Sequence, residues 1–137
     1  MIVTSTMQEG LITGIPVNKR PLVLVVDDEQ RILTFTAAKL RACGYDVITA
    51  ANGEDALKLA TSDKPDAMVL DIVLPGMSGF EVLRKLRATS SLPVILVSAW
   101  GYTGDEAAST GATDYLAKPF DPDELASKVR GCLGQQP

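Results

Sequence analysis

The feature that most constrains this chain is a set of short, unbroken apolar runs separated by helical patterns. Leu22-Val23-Leu24-Val25-Val26, Ala67-Met68-Val69-Leu70 and Pro93 to Val97 show no polar alternation. A strand with one wet face alternates apolar with polar residues. A continuous run therefore predicts a strand covered on both faces, as in a parallel sheet. Asp46-Val47-Ile48-Thr49 and Thr113 to Leu116 supply two further, shorter strands. Between them lie segments of helical period. Glu29 to Cys43 carries Ile32, Leu33, Ala37 and Leu40 on one stripe and stops at Gly44. Asn52 opens a second helix, with Ala56, Leu57 and Ala60 inward and Pro65 beyond its end. Ser78-Gly79-Phe80-Glu81 has the form of a capping box. The helix behind it turns Val82, Leu83 and Leu86 inward and Arg84, Lys85 and Arg87 outward. Asp121-Pro122-Asp123-Glu124 starts the last helix with a cap, a proline at its first position and acids. Leu125, Val129 and Leu133 form that helix's buried stripe.

Strands alternating with helices require right-handed crossovers and a parallel sheet with helices on both faces. Five strands fit a doubly wound α/β sheet of order 2-1-3-4-5, the flavodoxin-like (βα)5 arrangement. The domain is expected over residues 21–134. Residues 1–20, with Gly10, Gly14, Pro16 and no clear period, read as an N-terminal tail or linker, and 135–137 as a C-terminal tail. Asp105 to Thr110 lies where a fourth helix belongs, but the stretch from Gly101 is rich in Gly, Thr and Ser. A short or frayed fourth helix is expected there.

Composition narrows the chemistry. Apolar residues at 46% exclude disorder. With no apolar run long enough to cross a bilayer and no signal peptide, a cytoplasmic location is expected. A net charge of −4 with no basic stripe argues against nucleic-acid binding by this chain. There are 0 histidines, which removes Ser-His-Asp triads, Cys-His dyads and most transition-metal sites. Cys43 and Cys132 stand far apart at helix ends and read as buried free thiols. Any chemistry must run on carboxylates, hydroxyls, lysine and backbone.

The polar residues at strand ends supply such a set. Asp27 and Asp28 follow the first strand, Asp71 ends the third, Ser98 ends the fourth and Lys118 follows the fifth. All lie at the carboxyl edge, where doubly wound sheets bind ligands near the switch between strands one and three. Three converging carboxylates repel one another unless a cation intervenes. Carboxylates, a backbone carbonyl and waters make the oxygen site that suits Mg²⁺; the Val73 carbonyl is the candidate fourth protein ligand. Lys118 offers a point positive charge and Ser98 a hydroxyl to a phosphoryl oxygen. Each residue alone reads as a cap or turn residue, and Tyr115 alone as packing. The joint pattern at the ends of four strands is far more specific.

Val25-Val26-Asp27-Asp28-Glu29, Leu70-Asp71-Ile72, Pro75-Gly76-Met77-Ser78-Gly79, Ser98-Ala99 and Tyr115-Leu116-Ala117-Lys118-Pro119-Phe120 together resemble the receiver domain of bacterial two-component response regulators. The likeness runs from about Pro21 to Leu133. It implies phosphorelay signal transduction with Asp71 as phosphoacceptor. Mg²⁺ would sit on Asp27, Asp28, Asp71 and the Val73 carbonyl, and Ser98 and Lys118 would hold the phosphoryl group. Tyr115 would be the aromatic that switches with Ser98, and the Lys118–Pro119 bond would be cis. The donor would be a sensor histidine kinase or a histidine phosphotransfer protein, and the chain a monomer or weak dimer. Kinase specificity would rest on the first helix around Gln30, Arg31, Thr34 and Ala38. The chain would act as a signalling module that catalyses its own phosphotransfer and slow autodephosphorylation, rather than as an enzyme.

Two features depart from the pattern. The segment between Ser98 and Lys118 is shorter than the resemblance implies, which puts family-style dimerisation in doubt. Val73, two residues after Asp71, cannot hydrogen-bond an attacking water, and Trp100 stands two after Ser98. Together they suggest a long-lived phosphorylated state; Trp100 reads equally well as an aromatic that covers a partner surface. Two other readings stand beside the first: a degenerate receiver that only binds protein, and a flavin or nucleotide protein of the same fold. The second needs a Gly- or Ser/Thr-rich phosphate loop after strand one, where Asp27-Asp28-Glu29 stands instead.

Overall fold

A computed structural model of the chain describes residues 19–99 and 109–135. Five parallel strands form one sheet: β1 (Leu22–Val26), β2 (Asp46–Ala50), β3 (Ala67–Asp71), β4 (Val94–Ser98) and β5 (Asp114–Ala117). Their spatial order is β2-β1-β3-β4-β5, the expected doubly wound arrangement. Among the described residues the helices are α1 (Gln30–Ala42), α2 (Gly53–Ser62), α3 (Gly79–Arg87) and α4 (Pro122–Cys132). The short helix expected near Asp105, and Trp100, lie outside the described residues.

The continuous apolar runs are buried on both faces. β3 and β4 are buried at every position. Strand alternation sends successive side chains to opposite faces, which splits each run between two cores. Val23, Val25, Val69, Ile95, Val97 and Leu116 pack with Leu33, Ala37 and Leu40 of α1 and Leu125 and Val129 of α4. Leu24, Val26, Met68, Leu70 and Leu96 pack with Ala56 of α2 and Val82, Leu83 and Leu86 of α3. Fully buried leucines such as Leu24 and Leu83 each contribute about 2 kcal/mol of transfer free energy.

Local signals start and stop the helices as read. Asn52, Ser78 and Asp121 each cap with a side-chain oxygen that accepts a backbone N–H from Asp55, Glu81 and Asp123. α1 ends in a Schellman turn. Gly44 takes φ +100°, its N–H donates to Arg41 O, and Tyr45 N–H donates to Leu40 O.

Two side chains depart from the sequence reading. Arg87 does not simply face water. It donates through Nε to Gly111 O at 2.8 Å and through Nη1 to Ser90 O at 3.3 Å, tying α3 to the turn before β5. Cys43 is exposed rather than buried, because as C-cap of α1 it lies off the apolar stripe; Cys132 is half-buried, and both are free thiols.

Candidate functional site

The sheet register assembles the carboxyl edge. Val26 of β1 pairs with Leu70 of β3, so the residues one step on, Asp27 and Asp71, stand side by side. Parallel neighbours are about 4.8 Å apart, close enough for two carboxylates to interact. Asp71 pairs with Val97, which sets Ser98 at the same edge, and Ser98 pairs with Ala117, which sets Lys118 beyond it. Lys118 N–H donates to Ser98 O at 2.7 Å and anchors that turn. The Lys118–Pro119 peptide bond is cis, as expected.

Asp27 and Asp71 are buried, at 3% and 5% exposure, and Asp28 is exposed beside them. One carboxylate oxygen from each of the three falls within 4.8 Å of the others. The Lys118 ammonium donates to Asp27 Oδ2 and to Asp71 Oδ2, both at 2.9 Å. The second oxygens are also engaged: Glu29 N–H donates to Asp27 Oδ1 at 2.9 Å and Val73 N–H to Asp71 Oδ1 at 3.1 Å. Burial, reinforced by the charge of Asp27, holds the Asp71 carboxyl above the ordinary aspartate value despite hydrogen bonds from Lys118 and Val73. For Lys118, burial opposes the charge, but the hydrogen bonds to Asp27 and Asp71 outweigh it and raise the ammonium pKa. The pocket thus draws in positive charge.

These donors fit a hard divalent cation. Three carboxylate oxygens within reach of one another, two of them from buried residues, form an oxygen-only set of the kind Mg²⁺ takes with waters. A lysine already bridging two of them shows that their charge needs a cation in place.

Ser98 is 2% exposed at the end of β4. It shares the parity of Val94 and Leu96, so it belongs to the sheet face covered by α2 and α3. Tyr115 is half-buried and packs on that same face. Val73, two residues after Asp71, is one of the exposed large apolar residues, at 56% exposure.

Two residues matter here that the sequence reading left without a role. Gly79, the first residue of α3, lies against the strand end that carries Asp71. A Cβ there would collide with Asp71 O and come 2.7 Å from Ile72 Cα. Its N–H donates to Ile72 O at 2.8 Å, so the close approach is bonded as well as tight. Glu29 places Oε1 3.8 Å from Lys118 Nζ. An acid directly after an aspartate pair was the available signal for it.

Residues 23–130 match the family model of the response regulator receiver domain. The chain belongs to the response regulator receiver family. It is 43% identical over 114 residues to the alkaline phosphatase synthesis transcriptional regulatory protein PhoP of Bacillus subtilis, covering 81% of this chain and 48% of PhoP. The chain thus spans about half the length of the curated relatives it matches. Among solved structures, the receiver domain of the Francisella response regulator 1452 superposes with a TM-score of 0.80 at 36% identity, covering 84% of this chain and 98% of that one. The receiver domain of the sensor histidine kinase PA1611 from Pseudomonas aeruginosa superposes at 0.77 and 32% identity, covering 85% and 100%; it carries a magnesium ion coordinated in its active-site cleft. The chain is a receiver domain of two-component signalling, and the phosphorylation-independent and flavin readings are not favoured. No helix among the described residues is long and apolar enough to cross a membrane.

Proposed function

We propose that this receiver is switched by phosphorylation of Asp71 in a Mg²⁺-dependent reaction, with a sensor histidine kinase or histidine phosphotransfer protein as donor. The observation that carries this reading is the buried Asp71 carboxylate, hydrogen-bonded to Lys118 and within ligand distance of Asp27 and Asp28. Asp27, Asp28, Asp71 and the Val73 carbonyl would hold the metal, which when bound neutralises phosphoryl oxygens and aligns the donor.

The residues of the chain do the rest. An Asp71 oxygen attacks phosphorus in line, the P–N bond of the donor phosphohistidine breaks, and its electron pair leaves with the imidazole. An acyl phosphate on Asp71 results. Lys118 trades one carboxylate oxygen for a phosphoryl oxygen and keeps a charge-assisted hydrogen bond. Ser98, at the neighbouring strand end, donates its hydroxyl to a second phosphoryl oxygen. Tyr115 lies on the same sheet face and follows Ser98, so the surface over β5 changes with phosphorylation. The chain acts as a cytoplasmic signalling module that takes one phosphoryl group and loses it slowly. The name of PhoP as a transcriptional regulatory protein supports a transcriptional output.

Intact mass after incubation with acetyl phosphate and Mg²⁺ tests this. One added phosphoryl group is expected, absent with chelator and absent in Asp71→Asn. An adduct that persists in Asp71→Asn would overturn the assignment of the acceptor.

A further inference from the structure

Lys118 holds carboxylate oxygens of two residues that a metal would use. It bridges Asp27 Oδ2 and Asp71 Oδ2, while backbone N–H groups take the remaining oxygens of both. A divalent cation bound among Asp27, Asp28 and Asp71 would lie within a few ångströms of the ammonium, in a pocket too buried for water to screen the repulsion well. The two cations compete for the same oxygens. An ammonium pushed off them needs another carboxylate, because an unpaired charge in a partly buried site is costly.

Glu29 is within reach. Among the described residues the carboxylates paired with Lys118 are Asp27, Asp71 and Glu29, the last at 3.8 Å. Its side chain is 66% exposed and so free to swing. Glu29 is the N-cap of α1, yet its side chain makes no capping hydrogen bond. Helix capping favours Ser, Thr, Asp or Asn at that position and does not account for a glutamate.

We propose that Glu29 is a positioning residue that receives the Lys118 ammonium when a divalent cation takes the Asp27 and Asp71 oxygens. The proposal rests on the metal-binding reading of the pocket. Lys118 is then an internal competitor for the metal, and Glu29 weakens its competition.

Calorimetric titration of Mg²⁺ into the unphosphorylated wild type, Glu29→Gln, Lys118→Gln and the double variant separates the possibilities. Lys118→Gln is expected to bind Mg²⁺ about tenfold more tightly, since one positive charge leaves the pocket. Glu29→Gln is expected to weaken binding roughly fivefold when Lys118 is present, and less than about twofold when it is not. Glu29→Asp should recover part of the loss. An equal loss in both backgrounds would make Glu29 a distant charge and overturn the proposal, as would no loss in either. Wild type that binds Mg²⁺, with Lys118→Gln unchanged, would sink the competition alone. No binding by any of the four would sink the metal reading and the proposal with it. Urea midpoints confirm that each variant is folded, with Lys118→Met replacing Lys118→Gln if the amide does not fold.

Discussion

Replacing Lys118 with glutamine in metal-free protein measures what the ammonium does for the fold. Asp27 and Asp71 are 3% and 5% exposed, so their charges are poorly screened once the lysine is gone. Their nearest ligand oxygens lie within 4.8 Å. Two unit charges at that separation repel by about 3.5 kcal/mol at an effective dielectric of about 20. Removing Lys118 also relieves its own desolvation, so a net loss of about 2–3 kcal/mol is expected at neutral pH. In urea unfolding with chelator present, the midpoint should fall by roughly 1–2 M. The loss should depend on pH. Asp71 already has a folded pKa above its ordinary value, and losing Lys118 removes a group that lowers it. A carboxyl with a raised folded pKa holds its proton more tightly when folded, so stability falls as pH rises from the unfolded pKa through the folded one. Lys118→Gln should therefore be closer to wild type near about pH 5 than near about pH 8. A loss under about 1 kcal/mol, or one that stays flat across that range, would refute the idea that Lys118 compensates buried carboxylates.

Other substitutions probe separate parts of the site. Gly79→Ala should destabilise by about 2–4 kcal/mol, because the new methyl meets the backbone of Asp71 and Ile72, which cannot step aside. The same variant should slow phosphoryl uptake, read by intact mass, because the clash pushes the start of α3 away from the strand end that carries Asp71. Arg87→Ala should cost about 1–2 kcal/mol through loss of its bonds to Gly111 O and Ser90 O, and an unchanged melting temperature would count against that clip. Val73→Asn should shorten the lifetime of the phosphorylated protein by roughly threefold to tenfold, since an amide can orient an attacking water where an isopropyl group cannot. The decay of the phosphorylated mass peak checks this.

Much of the site was legible because it depends on period and order. A carboxylate placed directly after an apolar run must stand at the carboxyl edge of a buried strand. Asp27, Asp28, Asp71, Ser98 and Lys118 could be gathered at one edge on that ground alone. Distances were not legible. Which two oxygens Lys118 bridges depends on the register of β1 with β3 and of β4 with β5, which four residue patterns far apart in the chain decide together. Glu29 was visible as a residue but not as a neighbour of Lys118, because that contact joins positions 89 apart.

The sequence by itself determined the alternation of strands and helices, their caps and stops, and the edge to which the reactive residues belong. Each of these follows from local backbone preference and from the need to bury apolar runs. The tertiary structure alone decided that Arg87, outward on its own helix, bonds to the turn before β5. It also decided that α3 begins too close to Asp71 for any side chain larger than that of Gly79. Those features are contacts between segments whose relative placement is set by packing and sheet twist, and no local pattern encodes a distance between them.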